Sequence, residues 1–201
     1  MSLWSVHRLY EQGIINLTQF VQFAHEIGAE GVEIVSFLLK DKDKQLPELM
    51  GALEEYGLTL AAYSISNDFA KSSPEERSDM LEHVKKEIDI AEMLNCNTVR
   101  VFSSDYGNGI DYEVAREWIV DGLKQACNYA KEKNVNICLE NHGYFAGTCA
   151  QMEQMIDDVS CDNLKVTLDI GNFILMDDNP AHAAYILASK AALVHVKDFH
   201  L

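Results

Sequence analysis

The chain has 201 residues, 48% of them apolar, which is enough for one domain with a real core. Its 16 basic and 32 acidic residues leave a formal charge of −16, a field that repels polyphosphate and disfavours nucleic acid as a partner. Five cysteines without a CxxC pair, and no apolar run long enough to cross a bilayer, point to reduced thiols in a soluble, cytoplasmic protein with no membrane association.

Short apolar runs alternate with longer amphipathic segments, and no linker divides them, so residues 1–201 read as one domain. "LWSVHRL" (3–9) is the first predicted strand and turns His7 inward, within reach of a substrate hydroxyl. Asn16 is placed to cap a helix that leaves at Gly28. "GVEIVSF" (31–37) and "LTLAAYSIS" (58–66) are the second and third strands, with Glu33 inward on the second. Ser73-Pro74-Glu75-Glu76 sets a cap, a first-turn proline and a capping-box glutamate in order.

"TVRVFS" (98–103) is the fourth strand and points Arg100 inward, where it is expected to pair with Glu33 or else to hold a substrate phosphate. "NICLE" (136–140), "KVTLDI" (165–170) and "ALVHVKD" (192–198) follow, separated by helix starts at Thr148 and Asn179-Pro180. His25, His83 and His182 fall in helical stretches and are expected at the surface.

Seven strands alternating with helices imply parallel pairing and right-handed crossovers. The expected fold is therefore α/β, a (β/α)8 TIM barrel with strand eight and its flanking helices absent from the given chain. A nucleotide-binding open sheet would need a Gly-rich turn after the first strand, which "WSVHRLYEQG" lacks. The open edges of such a barrel are expected to be met by more of a longer protein, or by a second copy in a homo-oligomer.

Functional residues of this fold sit at the carboxyl ends of the strands, and residues two apart share a side. Glu140 inward brings His142 to the same side; Asp169 faces inward on the sixth strand, and His195 and Lys197 on the seventh. Two carboxylates and an imidazole at similar heights would repel or titrate without a cation between them. Mixed O,O,N ligation suits manganese, magnesium, cobalt or zinc. A buried hydrogen-bond network is the plainer alternative for any one of these residues.

"ICLENHG", "VTLDIGNF", "LVHVKDFH" and, near the second strand, "GAEGVEI" resemble the strand signatures of the xylose-isomerase-like TIM-barrel superfamily. The resemblance implies that Glu140, Asp169 and His195 are three of four metal ligands, with the fourth a glutamate on an eighth strand beyond Leu201. That glutamate is also one of two acid/base residues in the epimerases, and the resemblance implies that Glu140 is catalytic, either as the other base or as its neighbour in the metal shell. Asn172 stands where many relatives have a substrate-binding histidine, and its amide can bond a hydroxyl but cannot carry a proton.

The expected activity is a divalent-metal-dependent isomerase or epimerase of a small sugar or sugar phosphate, working through an enediolate. His7, His142, Asn172, Lys197 and Arg100 are its candidate substrate-binding residues. A dehydratase on the same barrel is the nearest alternative, and a binding protein with a relic site another. An abasic-site endonuclease is disfavoured, because "YSIS" and "VFSS" lack the histidines its zinc cluster needs.

Overall fold

The computed structural model describes residues 1–104, 109–197 and 199. Six strands, β1 (Gly31–Val35), β2 (Thr59–Ser64), β3 (Thr98–Val101), β4 (Asn136–Glu140), β5 (Leu164–Asp169) and β6 (Ala191–His195), form one sheet in that order. Every neighbouring pair is parallel. These are the second to seventh predicted strands; β4 keeps its predicted bounds and the others are trimmed or shifted by up to three residues at an end. Asp198, which closes the last predicted run, and His200 lie outside the described residues.

The first predicted strand is corrected. Leu3–Val6 is a 3-10 turn that runs into α1 (His7–Glu11). Only the extreme N-terminus keeps strand-like pairing: the Met1 carbonyl accepts from the Glu33 amide at 2.8 Å, and Ser2 bridges to Glu33. Local bonds explain the turn. The Ser2 hydroxyl caps the Trp4 amide, and His7 Nδ1 meets the Trp4 carbonyl at 2.6 Å, so the backbone is satisfied without a ladder. His7 consequently stands on a helix with its ring stacked on exposed Trp4, not inward on a strand.

Helices fill the crossovers: α2 (Leu17–Glu26), α3 (Lys42–Tyr56), α4 (Pro74–Met93), α5 (Tyr112–Lys131), α6 (Gly143–Ala146), α7 (Cys149–Val159), α8 (Asn172–Leu175) and α9 (Pro180–Leu187). Asn16 and Gln19 form a complete capping box on α2, and Thr148 and Gln151 another on α7. Gly28 leaves α2 at φ 79°, a left-handed conformation that costs a Cβ-free residue little. Contacts of α2 with α3, α4 with α5, α5 with α7 and α7 with α9 make an outer helical layer. None of the described helices is long and apolar enough to cross a membrane.

Strands β3, β4 and β5 are almost wholly buried, as expected of strands covered on both faces. Fully burying side chains such as Ile137 and Leu139 contributes about 1.5–3 kcal/mol each. In β6 exposure alternates, and Val194 is 53% exposed on its outer face. A flat six-stranded sheet would hold its edge strands about 24 Å apart. Instead Glu33 on β1 and His195 on β6 touch at 3.1 Å, so the sheet curls and its inner face closes on itself.

Candidate metal and substrate site

The curl gathers the polar ends of the strands. Glu140 ends β4, Asp169 ends β5 and His195 ends β6, and one donor atom from each lies within 4.8 Å of the others. Glu140 and Asp169 are buried, and His195 is partly buried.

Each carboxylate has one oxygen tied back and one turned to the centre. Glu140 Oε1 accepts from the Asn172 side-chain amide at 3.0 Å, while Oε2 faces His195 Nδ1 at 3.6 Å. Asp169 Oδ1 accepts from the amides of Gly171 and Asn172, while Oδ2 lies 4.0 Å from His195 Nδ1. Asn141 locks the two strand ends together: its side chain donates to the Asp169 carbonyl at 2.9 Å and accepts from the Asp169 amide at 2.7 Å.

Two cations and the His195 imidazole face this buried negative charge. His195 Nε2 is 3.1 Å from Glu33, whose carboxylate also accepts from the Ser64 hydroxyl. Arg100 Nε lies 3.2 Å from Glu140 Oε2, close enough for an ion pair but not aligned for a hydrogen bond. Lys197 Nζ spans Asp169 Oδ2 at 2.8 Å and Asn172 Oδ1 at 2.7 Å.

The expected Glu33–Arg100 pair is thus corrected. Both residues are buried, but Glu33 pairs directly with His195 and Arg100 with Glu140. Arg100 on β3 is level with Cys138 of the adjacent β4, two residues below Glu140, so its long side chain reaches upward along its neighbour. Its other end donates to the Ile65 carbonyl at 3.0 Å.

The electrostatics follow from these contacts. Burial opposes ionisation of Glu33, but the hydrogen bond and charge of His195, the Ser64 hydroxyl and Arg100 outweigh it and bring its pKa down to about 2. Burial likewise opposes protonation of His195. The hydrogen bond and charge of Glu33, with Glu140 behind them, prevail, and its pKa is raised.

Among the expected substrate contacts, His142 packs on Phe102, ring centroids 4.5 Å apart, and the Arg100 guanidinium lies over the same Phe102 ring at 4.1 Å. Asn172 is buried as a bridge between Glu140 and Lys197. His7 is not gathered into this cluster by any of its contacts. The sequence reading missed Phe102, the locking role of Asn141 and the pairing of Glu33 with His195. The buried carboxylate in "GVEIV" was the signal for the Glu33 pairing, and the polar residue after "NICLE" was the signal for Asn141.

The donor set, two carboxylate oxygens and an imidazole nitrogen, fits a divalent cation. His195 would present Nδ1, the nitrogen on the carboxylate side, while Nε2 stays on Glu33. A carboxylate behind a ligand histidine is the usual way to fix its ring and tautomer.

Residues 21–201 match the family described as xylose isomerase-like TIM barrel. A curated 3-dehydroshikimate dehydratase of Bacillus anthracis is 23% identical over 165 residues, covering 80% of this chain. The chain spans 58% of that relative's length. The solved structure of the probable 3-DHS dehydratase of Bacillus anthracis superposes with a TM-score of 0.81 at 22% identity, covering 93% of this chain and 69% of that one. The 3-keto-D-glucoside 4-epimerase of E. coli gives 0.79 at 18% identity, covering 91% and 74%. The D-psicose 3-epimerase of Clostridium cellulolyticum, solved with D-tagatose, gives 0.77 at 20%, covering 88% and 66%.

Proposed function

Since the chain belongs to the xylose isomerase-like TIM-barrel family, we propose that it moves a proton beside the carbonyl of a small sugar or sugar phosphate, as a divalent-metal-dependent isomerase or epimerase. The observation that carries this reading is the convergence of Glu140, Asp169 and His195 from three consecutive strands. A divalent ion held there would supply Lewis acidity toward the substrate carbonyl.

The chain's own residues do the rest. Asn172 holds Glu140 Oε1 and Arg100 pairs with Oε2, which fixes the carboxylate that would accept the proton. Glu33 holds the His195 ring in place through Nε2. Lys197 stands at the rim, where its ammonium can bind hydroxyls or an anionic group, with the buried Asn172 amide beneath it. Phe102 and His142 wall the side next to Arg100.

A dehydratase that uses the same proton removal and then expels hydroxide is the second reading. It is favoured by the dehydratase relative, which is matched in sequence as well as in fold. NMR in D2O separates the two. The protein, loaded with Mn, Mg, Co or Zn in turn, is incubated with ketoses, their phosphates and polyhydroxylated cyclic ketones. Metal-dependent deuterium entry with substrate mass otherwise conserved marks an epimerase or isomerase, and loss of water marks a dehydratase. Both should vanish in Glu140→Gln. Turnover that persists in that variant, or in metal-free protein, would reject the proposal.

A further inference from the structure

β2 stops at Ser64 and β3 at Val101, yet the segments beyond them stay in register. The Ile65 amide donates to the Arg100 carbonyl at 3.0 Å, as a parallel ladder requires. The next bond of that ladder would run from the Phe102 amide to the Ile65 carbonyl. The Phe102 amide donates instead to the Asn67 side-chain oxygen at 2.8 Å, and the Asn67 side-chain nitrogen returns a bond to the Phe102 carbonyl at 2.7 Å. The Ile65 carbonyl accepts from Arg100 Nη1 at 3.0 Å.

Asn67 therefore serves Arg100 in two ways. By taking the Phe102 amide it leaves the Ile65 carbonyl to the guanidinium, and by gripping both backbone groups of Phe102 it sets the ring that lies 4.1 Å from that guanidinium. Arg100 depends on such holds. Its Nε is 3.2 Å from Glu140 Oε2 but makes no hydrogen bond among the described residues, so the pair with Glu140 does not itself fix the guanidinium. Asn67 is only 2% exposed, where the side chain must supply a donor and an acceptor together; alanine offers neither and an ionised aspartate no donor. Asn141 grips Asp169 by the same two bonds. An asparagine thus locks β2 to β3 and another β4 to β5, and the Arg100–Glu140 pair spans the junction between them.

We propose that Asn67 is a positioning residue for the proton transfer: by holding Phe102 it places Arg100, and through Arg100 the Glu140 carboxylate. This rests on the reading of Glu140 as the group that takes the proton.

Arginine side-chain NMR on folded, metal-free protein tests the placement, with the Arg100 Nε–H signal assigned by its loss in Arg100→Lys. The Phe102 ring should move that signal away from the range of exposed arginines, and burial should slow its exchange with water. In Asn67→Ala it should return toward the exposed range and exchange faster. Asn67→Asp keeps the acceptor and loses the donor, so it should give a smaller displacement, and it decides the matter where circular dichroism shows the alanine variant unfolded. In the metal-loaded protein, kcat should fall about 10- to 100-fold in Asn67→Ala with KM largely kept, the pattern of an interaction lost in the transition state. An Arg100 signal that stays in place in the folded variants would overturn the proposal, and so would a displaced signal with unchanged kcat. No turnover in the unsubstituted protein would reject the reading of Glu140, and the Arg100 signal would then still decide whether Asn67 places Arg100.

Discussion

Glu33 and His195 stand 162 residues apart in sequence and share a hydrogen bond of 3.1 Å. They belong to the first and last strands of the sheet, so this contact ties its two edges together across the interior. Its energetics depend on protons. Glu33 is held down to about 2 from an ordinary 4.5, so its contribution to stability is present above 4.5 and lost as pH falls toward 2. His195 is raised above its ordinary 6.5, so its contribution is complete below 6.5 and lost as pH climbs through the raised value. The metal-free protein should therefore be most stable between pH 4.5 and 6.5. In Glu33→Gln the alkaline decline should begin at lower pH. Thermal melts of both proteins across pH measure this; superimposable profiles would refute it.

Metal binding should run the opposite way. A ligand imidazole must be neutral, so affinity is expected to rise with pH across the range in which His195 loses its proton. Glu33→Gln removes the carboxylate behind that ring and should weaken binding about 10- to 100-fold. Isothermal titration with Mn or Zn at several pH values tests both statements, with Glu140→Gln and Asp169→Asn as the ligand controls.

Arg100→Met should leave Glu140 buried beside a methionine. Breaking a buried pair in this way costs about 3–5 kcal/mol, so the metal-free variant should unfold at markedly lower denaturant. A bound divalent ion would replace part of the lost charge. The gain in midpoint on adding metal should accordingly be larger in the variant than in the original chain.

Lys197→Met removes the ammonium that sits 2.8 Å from Asp169. The side chain is 39% exposed, so screening limits its hold, and removing it should raise metal affinity by no more than about tenfold. Tighter metal binding with weaker turnover would place Lys197 on the substrate, whereas an unchanged or weaker metal affinity would show that it does not compete for Asp169.

Gly122 faces the Phe69 ring from α5, and a Cβ there would come within 2.6 Å of a ring carbon. Phe69 is itself buried and has little room to retreat. Gly122→Ala should therefore cost about 1–3 kcal/mol through overpacking, even though alanine is the better helix former. Chemical denaturation reads the sign directly.

Much of this architecture is legible in the residues. β4 matches "NICLE" at both ends, because a β-branched and aliphatic run between a polar start and a charged end allows few alternatives. Period-two counting also placed Glu140, Asp169 and His195 on one side. It failed at "LWSVHRL", where a serine cap and a histidine-to-carbonyl bond turn the chain within four residues, and such bonds carry no periodic signal. It failed again on Glu33 and Arg100. Knowing that two side chains share an interior does not say which neighbour a long guanidinium reaches, and strand register decides that. Asn141 was visible as an odd polar residue, but its role depends on how β4 meets β5.

Each strand of the sheet lies beside the strands made just before and just after it. Order of synthesis and order of assembly can therefore coincide, and a chain emerging from the ribosome can add one strand and helix at a time to a growing edge. Glu140 and Asp169 would be laid down with Arg100 already beside them. His195 arrives with the last of the six strands, and with it comes the contact to Glu33 on the first. If the three groups hold an ion as proposed, its nitrogen ligand would come into place only in the step that brings His195 against Glu33.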